Sequence, residues 1–236
     1  MESLTKKTLL LLTAFMLFGF LGVDAKKRVL KISVVPSDAQ ISVDGNYVGD
    51  GVVEVTLDKS DFIAIKLEKE GFLTQENKFY RSDKRNAVSY TMRPDKFWEA
   101  SVPSGLVNKF FTVKVSPDYY TKDDNGKIDP DRAWKLIHQI LLNYFDEMQI
   151  TDMSSGFIQT PWEYERFSES RQAVRTRVTV KQSGISTEEL VFQIKISSEE
   201  APLVGMSNES SYREVVRILK KFEPLISEFQ SRLSKN

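Results

Sequence analysis

The chain has no cysteine and a single histidine among its 236 residues. The first absence removes disulfides, thiolate metal sites, thiol nucleophiles and the lipid-bearing Cys of a lipoprotein signal together. The second leaves His138 alone on a helical pattern, one turn beyond Trp134 and at the edge of an apolar face. A general base or a metal ligand needs partners, and the sole carboxylate at helical spacing ahead of it is Asp131, two turns back. His138 therefore reads as a structural residue. Charge of one sign is also missing, with 33 basic against 33 acidic residues. A neutral balance supplies no global field for nucleic acid.

Long hydrophobic runs are scarce too. The one candidate, Thr8 to Gly22, follows the basic pair Lys6-Lys7 and precedes Val23-Asp24-Ala25. It is short for a membrane span, which needs about 20 apolar residues. Basic flank, apolar run and small residues together read as an export signal cleaved after Ala25. An uncleaved anchor is the alternative. Cleavage deletes Glu2, Lys6, Lys7 and Asp24, leaving 31 residues of each sign. The expected location is the periplasm or cell envelope, without a lipid anchor and without an integral membrane segment. The remaining length of about 210 residues suits two modest domains.

The first domain is expected over residues 28–92 as a small all-β unit. SVVPSDAQISVDGNYVG (Ser33 to Gly49) alternates apolar residues through Ile41 and Val43, and Asp44-Gly45 suits the positive φ of a two-residue hairpin turn. Val52 to Leu57 alternates as a strand, and Ile63, Ile65 and Leu67 share one face of the next. Asn77 to Tyr80 and Ala87 to Met92 supply the last strands, separated by the charged turn Ser82 to Arg85. Pro36-Ser37-Asp38-Ala39, Val43-Asp44-Gly45, Gly49 and the pair Gly71-Phe72 resemble the PEGA domain, a small β module of exported proteins. The middle residues of the first tetrapeptide differ from that family's name motif, but both are turn formers. The resemblance implies an interaction module outside the cytoplasm and no chemistry.

Residues 93–109 read as a linker, broken by Pro94 and Pro103 and loosened at Ser104-Gly105. Phe97 and Trp98 are unusual there; they are expected to dock on a domain or to form an aromatic anchor for a partner. The second domain, residues 110–236, opens with a strand from Phe110 to Ser116. Asp129 as N-cap and Pro130 as first helical residue then start a helix ending near Met148 or Gln149, with Trp134, Ile137, Leu141, Tyr144, Phe145 and Met148 on one face. Strands follow at Phe157 to Tyr164, Ala173 to Gln182 and Glu189 to Ser197. A last helix is expected from Ser211, capped through Ser211 and Glu214, with a stripe of Val215, Ile218, Leu219, Phe222, Leu225, Phe229 and Leu233. Pro224 should bend or split it.

The order β-α-β-β-β-α is that of a helix-grip arrangement, an antiparallel sheet with two helices on one face. The fold class is thus α+β. AWKLIHQILL, ITDMSSGFIQTPW and RTRVTV, with local marks at Trp134, Asp152, Gly156 and Thr160, resemble the domains of BamC-type accessory proteins of outer-membrane β-barrel assembly. The likeness covers roughly residues 110–233 and implies a scaffold role. Those proteins are lipoproteins and this chain lacks the Cys, so membrane attachment does not carry over.

Chemistry-bearing patterns are few. Asp123 to Asp129 resembles part of a calcium loop, but Thr121 and Arg132 stand where the first ligand and the bidentate Glu belong, so a solvated turn is expected. Glu163/Glu165 and Glu199/Glu200 read as a charged rim. No phosphate loop, nucleophile elbow or metal-ligand spacing occurs, so neither an enzyme nor a cofactor is expected. Trp162, Tyr164, Arg166, Phe167 and Arg171 cluster at one hairpin. They either cover the sheet beneath the helices or form an aromatic and Arg patch for a protein partner, with stacking on a sugar as a further option. The expected partner is a protein or polysaccharide of the cell envelope. A carrier for an apolar ligand, held between sheet and final helix, is the alternative function.

Overall fold

The computed structural model describes residues 28–57, 60–183 and 188–234. The export signal expected over residues 1–25 lies outside the described residues. The chain is an α+β protein, mostly β-sheet, and divides into two compact units. The first comprises residues up to Glu68 plus Thr74–Met92, and the second Lys69–Leu73 plus Arg93 onward. No helix among the described residues is long and apolar enough to cross a membrane.

In the first unit, β1 (Val29–Val35) is flanked by β4 (Val52–Thr56), antiparallel, and by β7 (Ala87–Thr91), parallel. A second sheet runs β3 (Asn46–Asp50), β2 (Gln40–Val43), β5 (Phe62–Glu68), β6 (Gln75–Tyr80), all antiparallel. Alternation places Leu30, Ile32 and Val34 of β1 inside, together with Ile41 of β2 and Ile63, Ile65 and Leu67 of β5. The turn between β2 and β3 has Asp44 at φ +49° and Gly45 at φ +81°, the two positive values a type I′ turn requires. The Asp44 carboxylate also accepts a 2.8 Å bond from the Ala64 amide, which fixes the turn to β5.

The second unit departs from the sequence reading in four places. The stretch expected as a linker forms α1 (Lys96–Ala100) and β8 (Ser101–Pro103). Phe97 is buried against Phe167 at 5.6 Å, and the Arg217 guanidinium lies 3.5 Å above the Trp98 ring. Gly71 and Leu73 join this unit, not the first, because the Leu73 amide donates to Arg93 O and the Asp95 amide to Gly71 O.

After β9 (Phe110–Lys114), the short hairpin β10 (Thr121–Lys122) and β11 (Ile128–Asp129) leads into α2 (Asp131–Leu142). The Asp129 carboxylate accepts from the Asp131 amide at 3.1 Å, but the helix starts one residue later than expected: Asp129 ends β11, and Pro130, which has no side-chain cap bond, holds the cap position. The helix stops at Leu142, nearly two turns short of the expected end at Met148 or Gln149. The Tyr144 amide reaches back three residues to Leu141 O, tightening the end, and the Tyr144 hydroxyl donates to Glu228.

The strand expected from Phe157 to Tyr164 is two: β13 (Phe157–Gln159) and β14 (Glu163–Phe167). Pro161, lacking an amide hydrogen, interrupts the ladder. The Thr160 hydroxyl covers the gap by accepting from the Val178 amide at 2.9 Å. Both pieces lie collinear along β15 (Gln172–Gln182), β14 on its first half and β13 on its second, with β12 (Ile150–Asp152) outside β13. β15 pairs along its whole length with β16 (Val191–Pro202). β9 covers the first part of β16 and β17 (Arg213–Glu214) the last. Asn108 fills the space between them. Its Nδ2 donates to Ser198 O (3.1 Å) and Val215 O (2.9 Å), and its Oδ1 accepts from the Ser198 amide (2.9 Å), so a side chain does the work of a strand residue.

The helix expected from Ser211 is replaced by β17, then β18 (Arg217–Leu219), which pairs with β8, and then α3 (Pro224–Leu233). The capping box of Ser211 and Glu214 therefore does not form. Backbone pairing with Glu199–Glu200 and Ser101–Pro103 captures this segment, and Pro224 starts a helix instead of bending one. The α2 and α3 faces pack on one side of the sheet. Trp134, Ile137, Leu141, Phe222, Leu225 and Phe229 meet Val174, Val178, Val180, Phe192, Ile194 and Ile196 in one apolar cluster.

Candidate functional site on the outer sheet face

Alternation along β15 sends Val174, Thr176, Val178 and Val180 into the core and Arg175 and Arg177 to the face away from α2 and α3. Burying an arginine there requires partners, since an isolated charge cannot leave water at reasonable cost. Arg175 is 4% exposed and has four. Its Nε and Nη2 donate to Glu199 at 2.9 and 2.8 Å, and Nη1 donates to Glu209 at 2.8 Å. Its guanidinium lies 4.1 Å from the centre of the Trp162 ring and 3.7 Å from that of Tyr212. Arg177 lies 4.2 Å from the same Trp162 ring, and Tyr164 meets Tyr212 edge-on at 6.4 Å. The bond from Arg175 holds the Glu209 carboxyl below its usual range.

The result is a continuous stack of Arg177, Trp162, Arg175 and Tyr212, delocalised cations alternating with aromatic rings. Its members come from β15, the break before β14, and the segment between β16 and β17. The stack leaves Tyr164 (43% exposed) and Arg166 at the surface beside it. Arg166 has no carboxylate partner among the described residues. The Arg177 Nε is buried without a hydrogen-bond partner.

Of the five residues the sequence singles out, Trp162, Tyr164 and Arg166 share this face. Phe167 does not: it is 8% exposed and sits in the core on Phe97, because β14 parity turns it with Glu163 and Glu165 to the opposite side. Arg171 lies in the β14–β15 turn and lines a separate cleft. Sequence reasoning missed Arg175, Tyr212 and Glu209, and read Glu199 only as part of a charged rim, whereas its carboxylate accepts from Arg175. A usable signal existed for the first, a pair of arginines at alternate positions within a strand of valines.

No family model and no curated protein matches the chain. What the site can do is therefore argued from its chemistry.

The other chemical candidates are occupied. His138 uses both ring nitrogens, Nδ1 at 2.9 Å from Trp134 O and Nε2 at 2.9 Å from Thr151 Oγ1. Glu163 and Glu165 both face Lys221, at 3.6 and 2.8 Å. The Asp123 carboxylate accepts from the Asn125 and Lys127 amides at 2.9 and 2.8 Å and so closes the turn itself. The Asp152 carboxyl is held at about 2 by bonds from Ser154 and Ser155. Among the described residues no group of three or more His, Asp or Glu is placed to hold a metal.

Proposed function

We propose that the chain is a non-catalytic, exported binding protein of the cell envelope, which docks a partner protein on the outer sheet face of its second unit. In this reading the first unit is a PEGA-like module and the second a helix-grip-like domain similar to the BamC type, serving envelope or outer-membrane assembly. The observation that carries it is the pre-stacked Arg177–Trp162–Arg175–Tyr212 array with Tyr164 and Arg166 beside it. Aromatic and arginine side chains dominate interface hot spots, and rings already held in place lose little entropy when a partner covers them. The Asp44-Gly45 hairpin and the two helices packed on one face of an antiparallel sheet support the domain readings.

A sugar stacking on Trp162 draws less support, since two guanidiniums already occupy that ring. The apolar-carrier reading draws none from the core, where Phe192, Phe222 and Phe229 are fully buried between sheet and helices. Chemical crosslinking in whole cells followed by mass spectrometry should yield a heteromeric adduct of a chain beginning at Lys26. Recovery of free monomer alone across growth conditions, or of a chain with its first 25 residues retained in the cytosol, would refute this reading.

A further inference from the structure

At the end of the same sheet, where β14 turns into β15 and β16 runs out, lies a cleft of about 650 Å³. Arg171, Gln172, Glu200, Ser211 and Arg213 line it. It shares no lining residue with the aromatic stack. Both arginines are exposed, and neither guanidinium has an ion pair within 4 Å among the described residues, although Glu200 lies near enough to Arg213 to feel its charge.

Arg171 carries a second peculiarity. Its φ is +54°, in the left-handed region where Gly, Asn and Asp are at home. The other positive-φ residues that are not glycine, among the described residues, are Asp44 and Asn108. The backbone holds Arg171 there from both sides: its amide donates to Ser168 O at 3.2 Å, and its carbonyl accepts from Leu203 at 2.8 Å. Glycine would fit this turn at lower cost, so a long cationic side chain kept in a strained position points to a use for the cation.

Glu200 stands among these cations as an acceptor. Its backbone stands opposite Arg213 in the β16–β17 register, and its carboxylate accepts from the Gln172 amide group. Burial pushes its carboxyl up, helped by the charge of Asp95 and opposed by Gln172 and Arg213. An inorganic anion would meet that carboxylate with nothing to offer it. A ligand with hydroxyl donors as well as an acidic group satisfies both ends. The cleft volume lies in the range of sites for molecules of sugar size.

We propose that this cleft binds a polyhydroxylated ring bearing one acidic group, with the acidic group on Arg171 and Arg213 and ring hydroxyls on Glu200 and Ser211. Planar guanidiniums suit a carboxylate or a phosphate equally, so the shared chemistry is an anionic sugar. The site does not depend on the docking reading: it can bind in a chain that has no partner protein, and a partner can dock with the cleft empty.

Titration calorimetry on the whole purified chain with glucuronic acid, glucose 6-phosphate and glucose tests it. One of the two acids is expected to bind at about 1 mM or tighter, with glucose at least about 10-fold weaker. Arg171→Gly is expected to weaken the acid by about 10-fold while raising the melting temperature by about 2 °C, because strain is relieved as the ligand contact is lost. Arg213→Gln should give the same weakening with the melting temperature unchanged. Binding by glucuronic acid alone assigns a carboxylate, and by glucose 6-phosphate alone a phosphate; either supports the site. Failure of all three sugars to bind, equal binding of glucose, or acid binding that survives Arg171→Gly overturns it.

Discussion

Replacing Arg175 with Ala is expected to destabilise the second unit by about 3 kcal/mol, a loss of about 10 °C in melting temperature. The loss has two sources. Glu199 keeps 20% of its side chain exposed and would be left without the Nε and Nη2 donors that offset its desolvation. The Trp162 and Tyr212 rings would also lose the guanidinium between them, opening a gap the sheet face has no side chain to fill. Glu209 contributes far less, since its side chain is 77% exposed and water replaces the partner. Glu209→Gln should leave the urea midpoint nearly unchanged, and Arg175→Lys should fall between, keeping charge but losing the fork and the stacking. The readout is clean: all three tryptophans, Trp98, Trp134 and Trp162, belong to the second unit, so tryptophan fluorescence during urea unfolding follows that unit by itself.

Replacing Asn108 with Ala is expected to cost a similar amount, about 3 kcal/mol. The substitution removes three hydrogen bonds, leaves the Ser198 amide and the Val215 carbonyl short of partners while Ser198 O keeps the Val215 amide, and puts a Cβ-bearing residue without a compensating bond at φ +62°. Asn108→Gly separates the contributions, since glycine accepts the backbone angle while losing the same bonds; it should be about 1 kcal/mol less damaging than Ala. Hydrogen exchange gives the local signature. The Ser198 amide, which donates to Asn108 Oδ1, should exchange far faster in Asn108→Ala, while the Phe192 and Ile194 region paired with β9 keeps its protection.

Strand alternation made most of the sheets legible. Ile63, Ile65 and Leu67, and later Val174, Thr176, Val178 and Val180, declare an inner face because the two-residue period of a strand admits no other arrangement that buries them together. Asp44-Gly45 declared its own turn. The C-terminal segment misled for a physical reason: Val215, Ile218, Leu219 and Phe222 have helical spacing, but β8 and β16 offered this segment backbone partners that spacing does not encode. The same applies to residues 93–109, whose prolines punctuate a short helix and strand and not a free tether.

The site was half legible. Trp162, Tyr164 and Arg166 follow strand parity, and the same parity would have removed Phe167 from the group. Glu199, Glu209 and Tyr212 lie 24 to 37 positions from Arg175, and only the register of β15 on β16 and the return of the chain through β17 bring them to it. No local pattern records such a meeting.

The central claim is that the outer sheet face is a docking surface. Its most direct test is a photo-crosslinking amino acid placed in living cells at Tyr164, at Arg166 and, as a control on the opposite side of the sheet, at Lys135 of α2. A docking surface predicts one adduct of the same mass from positions 164 and 166 and none from 135. Uncrosslinked chain at all three positions, or the same adducts from 135 as from 164, would contradict it.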